Sequence, residues 1–233
     1  MIISKELNKN LDKLNLLKHP FYQAWNEGTL SIEVLQKYAS EYYHHVAAFP
    51  HYINEIMSLC ESKEDKEVLK GNLLDELGLK DSTSDFSMSD KDTWGQENHP
   101  ELWLRFSEGI GSTRDIKDQP VLESTRALVN GYFDLVRKDY ATGLGALYAY
   151  EEQTPEVSRS KIDGLKCNYG VSDAKTLKFF TVHQESDEWH REELEGLIAK
   201  LTTDEKKRFE SGAIAGAKLL WGFLDGMNVT SCH

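Results

Sequence analysis

Apolar residues recur at three- and four-residue intervals along nearly the whole chain, and no stretch alternates with the period of two that a half-buried strand shows. The pattern predicts a first helix near 3–17 and a short one near 20–27, stopped by Gly28. A long third helix follows from about 32 to 61, capped by Ser31 and bent at Pro50, where a backbone donor is lost. A fourth runs from Lys63 to about Leu79. Helices resume near His99 and then cover about 119–138, 140–152 and 155–168. Ser172 opens a helix of nearly thirty residues, and Thr203 caps the last, which ends near Gly226. The segment 80–97 breaks the rhythm with Ser, Asp, Thr and Gly and few apolar anchors, which predicts a mobile loop or lid. There is no internal repeat. The expected fold is one all-α domain over residues 1–233, a bundle of about seven or more helices.

Composition narrows the function classes. The 39 acidic residues exceed the 27 basic ones, for a formal charge of −12, which argues against a nucleic-acid partner, since such binding depends on Lys and Arg meeting phosphates. No run of about 18 apolar residues exists, so no membrane span is expected. The first twenty residues lack the apolar core of a signal peptide, and Cys60, Cys167 and Cys232 form no CxxC pair. A cytoplasmic protein is expected, with secretion into a host left open. A chain of 233 residues is long enough to enclose an interior pocket.

The strongest chemical signal is His183-x-x-x-Asp187-x-x-His190. On a helix these three positions fall within an arc of roughly 60°, so their side chains leave one stripe together. Imidazole plus carboxylate suits iron, manganese or zinc, although an exposed polar helix face explains the triplet equally well. Glu151 follows the small-residue run GLGALYAY and either faces the interior or is an ordinary last-turn glutamate. Asp75, Glu76 and His99 taken singly read as surface groups. Glu41-x-x-His44 is a lone pair where a ferritin-like site needs two, so Tyr42, His44 and His45 are expected to line the helix interior or surface without binding metal. Cys60 is expected to pack.

Several segments together resemble one family: HPFYQAWNEGTLSIEVLQKYASEYYHHVAAFPHY, NLLDE, HPELW, ALYAYEEQTPEVSRSKIDGL and FFTVHQESDEWHREE. The chain is similar to the haem-oxygenase-like dimetal oxidases, and among them to the chlamydial proteins associating with death domains, from about Leu16 to Leu224. The resemblance implies a haem-oxygenase-like bundle and a centre of two divalent ions, iron and/or manganese, on Glu76, His99, Glu151, His183, Asp187 and His190. Relatives carry the first glutamate and histidine about two turns apart on one helix. Here Glu76 and His99 are separated by the 80–97 insertion, which makes Glu97 an alternative to Glu76.

The resemblance further implies synthesis of p-aminobenzoate, for folate, at the expense of the protein's own side chains, with molecular oxygen as partner. Tyr22 would give the ring and Lys161 the nitrogen, with Tyr38, Tyr43 and Tyr150 as further pocket aromatics. Read without the resemblance, Tyr22 is a core aromatic and Lys161 a solvated helix lysine. Two other readings stay open: an oxidase of an external small substrate, and a protein that binds host death domains. A homodimer is also left open.

Overall fold

Capping side chains set most helix starts. The computed structural model describes residues 3–79, 97–116 and 119–227, apart from the side chains of 185–189. In chain order the helices are α1 (Lys5–Lys13), α2 (Pro20–Glu27), α3 (Ile32–Leu59), α4 (Lys63–Glu76), α5 (His99–Gly109), α6 (Glu123–Lys138), α7 (Tyr140–Glu151), α8 (Thr154–Asn168), α9 (Ala174–Ala199) and α10 (Thr203–Asp225). No strand occurs among the described residues, so the expected all-α class stands. The predicted lid, apart from its last residue, lies outside them. No helix of the described residues is long and apolar enough to cross a membrane.

Four boundaries differ from the sequence expectation. The predicted first helix is two elements, because Asn15 leaves the helical conformation and caps a 3₁₀ turn at Leu16–Lys18. Asp173, not Ser172, caps α9, its carboxylate accepting from the Thr176 N–H at 2.9 Å. Thr202, not Thr203, caps α10 through a reciprocal box with Glu205. Residues 119–122 stay outside α6 because Pro120 disfavours helix at Gln119 and the Leu122 N–H is taken by the Glu41 carboxylate at 3.0 Å. Glu41 also accepts from the Thr125 hydroxyl. Glu41 alone of the Glu41-x-x-His44 pair therefore clasps α3 to the start of α6, through one oxygen of its carboxylate.

One continuous apolar core runs from Leu7 to Met227. α3 passes through Pro50 and lays Tyr38, Tyr42, His45, Phe49 and Tyr52 along one buried stripe. Burying each such ring contributes about 1.5–3 kcal/mol. Every residue of α7 from Ala141 to Glu151 is buried. Two glycines allow this: a Cβ on Gly145 would meet the Phe209 carbonyl oxygen at 2.1 Å, and one on Gly212 the Thr142 oxygen at 2.2 Å. α7 and α10 thus touch backbone to backbone, which holds the C-terminal end of α7, with Tyr150 and Glu151, deep in the bundle.

Candidate metal centre

Glu76 is the last residue of α4 and His99 the first of α5, 23 positions apart in sequence, yet they meet. Gly78 turns the chain with φ of +66°, and a Cβ there would lie 2.6 Å from the backbone carbon of Glu97. The two ends of the intervening segment are therefore pressed together. Asn98 caps α5 by accepting from the Glu101 N–H at 2.8 Å, which starts the helix at His99. Glu97 is engaged elsewhere, its carboxylate paired with Arg105. Of the two carboxylates that the sequence leaves open, Glu76 is the one grouped with His99 and His183.

Glu76, His99 and His183 are all buried, and each offers a ligand atom within 4.8 Å of the others. Ligand atoms each about 2 Å from a shared ion lie within ~4 Å of one another, so the group has the dimensions of a metal site. Two observations test the fit. His99 Nδ1 is buried and makes no hydrogen bond, although Glu76 Oε2 lies only 2.7 Å away. Two polar atoms this close without a hydrogen bond between them are left free for a shared ligand. His183 Nδ1 lies 2.8 Å from the Phe179 carbonyl oxygen. A carbonyl only accepts, so Nδ1 carries the proton and Nε2 presents a lone pair, the tautomer a metal requires. Burial, and then the neighbouring His99, hold the His183 pKa well below its ordinary value, which keeps the ring neutral. The residues fit a divalent ion.

Glu151 and His190 are buried close by. Burial raises the Glu151 pKa and Glu76 raises it further, while His190 and His99 act in the opposite direction. Burial alone would lower His190, but its hydrogen bond with Asp75 and the charges of Glu151 and Glu76 raise it. His190 Nε2 is 3.2 Å from Asp75 Oδ2, so one ring nitrogen is held by a carboxylate of α4. The Asp187 side chain, on the same helix, lies outside the described residues.

Next to this group is a second cluster. Phe179 packs on His183 with ring centroids 4.1 Å apart and also lines a cavity of about 20 Å³. Tyr22, Tyr42, Tyr150 and Lys161 line the same cavity. The Lys161 amine donates to the Tyr38 hydroxyl at 2.8 Å, and Tyr38 and Tyr22 share a hydrogen bond of 2.9 Å. The amine sits 5.1 Å from the centre of the Tyr22 ring. Lys161 is 5% exposed, not solvated, and burial pushes its pKa down to about 7. A good fraction of the amine is therefore neutral and nucleophilic at neutral pH.

Tyr43 is buried as well, but its ring contact is with His44 and it does not line the cavity. Tyr42 takes that place, stacked on Tyr38 at 5.4 Å and sharing a hydrogen bond with Tyr150. Tyr42 lies four residues after Tyr38 and so on its stripe, whereas Tyr43 is rotated a further 100°; that spacing was the available signal. His45, wholly enclosed by aromatic rings, is kept neutral by burial, with its pKa pushed to about 3. Cys60 is buried and its thiol donates to the Ser62 carbonyl at 3.4 Å, in keeping with a packing role.

Iron(II) or manganese(II) added to metal-free protein should raise the thermal midpoint by roughly 5–10 °C at a hundredfold excess over Kd, since an ion that binds only the folded state adds about 2.7 kcal/mol. Melting curves of wild type, Glu76→Gln and His183→Gln with and without metal check this. An equal shift in all three proteins would place the ion elsewhere.

The family profile described as iron-containing redox enzyme matches residues 36–221. A 4-aminobenzoate synthase of Chlamydia muridarum is 33% identical, over 98% of this chain and 92% of that protein. One from Nitrosomonas europaea is 32% identical, over 98% and 92%. Among solved structures, a TenA homologue from Pseudomonas syringae superposes with a TM-score of 0.75 at 17% identity, covering 96% of this chain and 91% of that one.

Proposed function

The chain belongs to the iron-containing redox enzymes of haem-oxygenase-like fold, and from that premise we propose that it makes 4-aminobenzoate out of its own Tyr22 and Lys161. The relatives' name supplies the product, and the product's structure points back to the chain. A ring with one carbon substituent and one nitrogen substituent in para relation has the substitution pattern of a tyrosine side chain. The Cα–Cβ bond would break as molecular oxygen oxidises Cβ to the carboxylate carbon, and the phenol oxygen would leave as water as the Lys161 nitrogen, parted from its Cε, takes its place on the ring.

The observation that carries the proposal is the size and lining of the inner cavity. About 20 Å³ is enough for one water-sized guest, such as dioxygen, and too little for an external aromatic substrate. What stands in place of such a substrate is the Tyr22 ring, with a buried amine beside it. Two ions, iron and/or manganese, on Glu76, His99, Glu151, His183, Asp187 and His190 would supply activation of molecular oxygen.

The remaining roles belong to the chain. Burial holds the Lys161 amine partly unprotonated, and Tyr38 anchors it by accepting one of its N–H bonds. The Tyr38–Tyr22 hydrogen bond fixes the phenol oxygen and offers a path for its proton. Phe179 and the surrounding tyrosines keep bulk water out of the cavity.

Metal-loaded protein exposed to oxygen should yield at most about one product per chain. Mass spectrometry of the recovered protein should show alteration confined to Tyr22 and Lys161. Tyr22→Phe should give no product while keeping the metal-dependent shift in melting. Product from Tyr22→Phe at the wild-type level would transfer the reading to an external substrate.

A further inference from the structure

We propose that the groove bounded by α1, the α7–α8 junction and α9 is the exit port for the aromatic product, with Arg159 receiving its carboxylate. The inference rests on the reading above, because a ring released inside the bundle needs a route outward. The inner cavity is far too small to store it. A second cavity of about 290 Å³ opens beside the first, close to the lower end of the roughly 300–1,000 Å³ typical of small-molecule sites.

The two spaces are lined by sequence neighbours. Leu16 and Thr154 face the inner cavity, while Asn15, Gln153 and Pro155 face the outer one. Gln153 fastens this seam: its side chain accepts from the Leu16 N–H at 2.8 Å and donates to the Ala149 carbonyl at 3.1 Å. The 3₁₀ turn that begins at Leu16 leads straight into α2, which carries Tyr22. Cleavage of the Tyr22 side chain would remove a buried anchor of α2, six residues along the chain from Leu16 at the seam.

The outer wall carries both signs of charge, but most are already paired. Asp12 holds Lys18 at 2.6 Å, and Arg191 approaches Glu152 at 4.0 Å. Glu156 and Arg159, one turn apart on α8, are exposed and have no ion-pair partner among the described residues. Gln153 gives α8 no side-chain cap, so the first-turn N–H groups of that helix add a positive field on the same side. Arg159 matches a carboxylate, and Glu156 can accept from an arylamine N–H. A small aromatic amino-carboxylate is the ligand class that uses both.

Titration calorimetry with the full-length, metal-free protein tests the port, using 4-aminobenzoate, benzoate and aniline as probes. Wild type should bind both carboxylates saturably and aniline not at all. Arg159→Gln, an exposed substitution whose folding is checked by an unchanged melting curve, should weaken 4-aminobenzoate tenfold or more. Tyr22→Phe should bind it as wild type does. Absence of saturable binding to wild type, or an unchanged affinity in Arg159→Gln, overturns the proposal. If Tyr22→Phe still makes product while Arg159→Gln still loses affinity, the ring comes from outside and the groove remains its port.

Discussion

At pH 7, Lys161→Met should be more stable than the wild-type chain by up to ~5 kcal/mol while making no product. The Lys161 amine has no carboxylate partner among the described residues: it bonds to the Tyr38 hydroxyl and is ringed by Tyr22, Tyr42, Trp103 and Phe180. Its pKa is about 7 in the folded protein against 10.5 for an ordinary lysine, a difference that corresponds to ~5 kcal/mol. Below pH 7 both folded and unfolded chains are protonated at this site, so the full penalty acts. Between pH 7 and 10.5 the unfolded chain holds more protons, and stability rises with pH as the penalty fades. The buried phenols act in the other direction above about pH 10, because unfolded tyrosines ionise there and the folded Tyr22 and Tyr38 do not.

Wild type should therefore become more stable from pH 7 towards about pH 10 and then decline. Methionine fills most of the same volume with no charge to desolvate, and Tyr38 keeps its bond to Tyr22. Urea midpoints for both proteins at pH 7 and pH 9 are the measurement. A wild-type slope retained in full by Lys161→Met would show that another group drives it. A functional residue kept against the interest of stability is the signature expected of a reacting amine.

Gly145→Ala should lower stability by roughly 3 kcal/mol or more, a fall in melting temperature of about 6–12 °C. The added methyl would stand 2.1 Å from the Phe209 carbonyl oxygen and 2.7 Å from the Ala213 nitrogen. Neither obstacle is the free end of a side chain, so α7 and α10 must separate along their contact. The displacement reaches Tyr150 and Glu151 at the end of α7, and the stabilisation by added metal should shrink with it. Gly222→Ala is the control: nothing lies within 4 Å of its Cβ, and alanine favours a helix by up to about 1 kcal/mol. If both variants melt like wild type, the backbone contact between α7 and α10 is not as close as described.

The helices were legible because their signals are local. Periodicity marked nearly every one, and Ser31 and Gly28 acted where their residue types suggest. The errors at Ser172 and Thr203 were of one residue, between adjacent capping-competent side chains. The site was legible only in part. The placing of His183 and His190 on one helix followed from spacing, but the partners of each come from other elements. Nothing near Asp75 in sequence says that it holds His190, and nothing near Lys161 says that it is buried. The meeting of Glu76 with His99 depends on a left-handed glycine two residues after the first and on the packing of Glu97 against it. Those are properties of the folded chain as a whole, and residue-by-residue reading ranked Glu76, His99 and Lys161 as surface groups.

The 5.1 Å between the Lys161 amine and the Tyr22 ring has a consequence for supply. Reactants tethered in one chain meet at an effective molarity that no dissolved precursor approaches, up to about 10⁵–10⁸ M for well-oriented pairs. On the proposed reading neither partner has a Michaelis constant, and no metabolite pool can saturate or starve the reaction. Output would then be metered by translation, each new polypeptide carrying a single dose that only oxygen and metal can release.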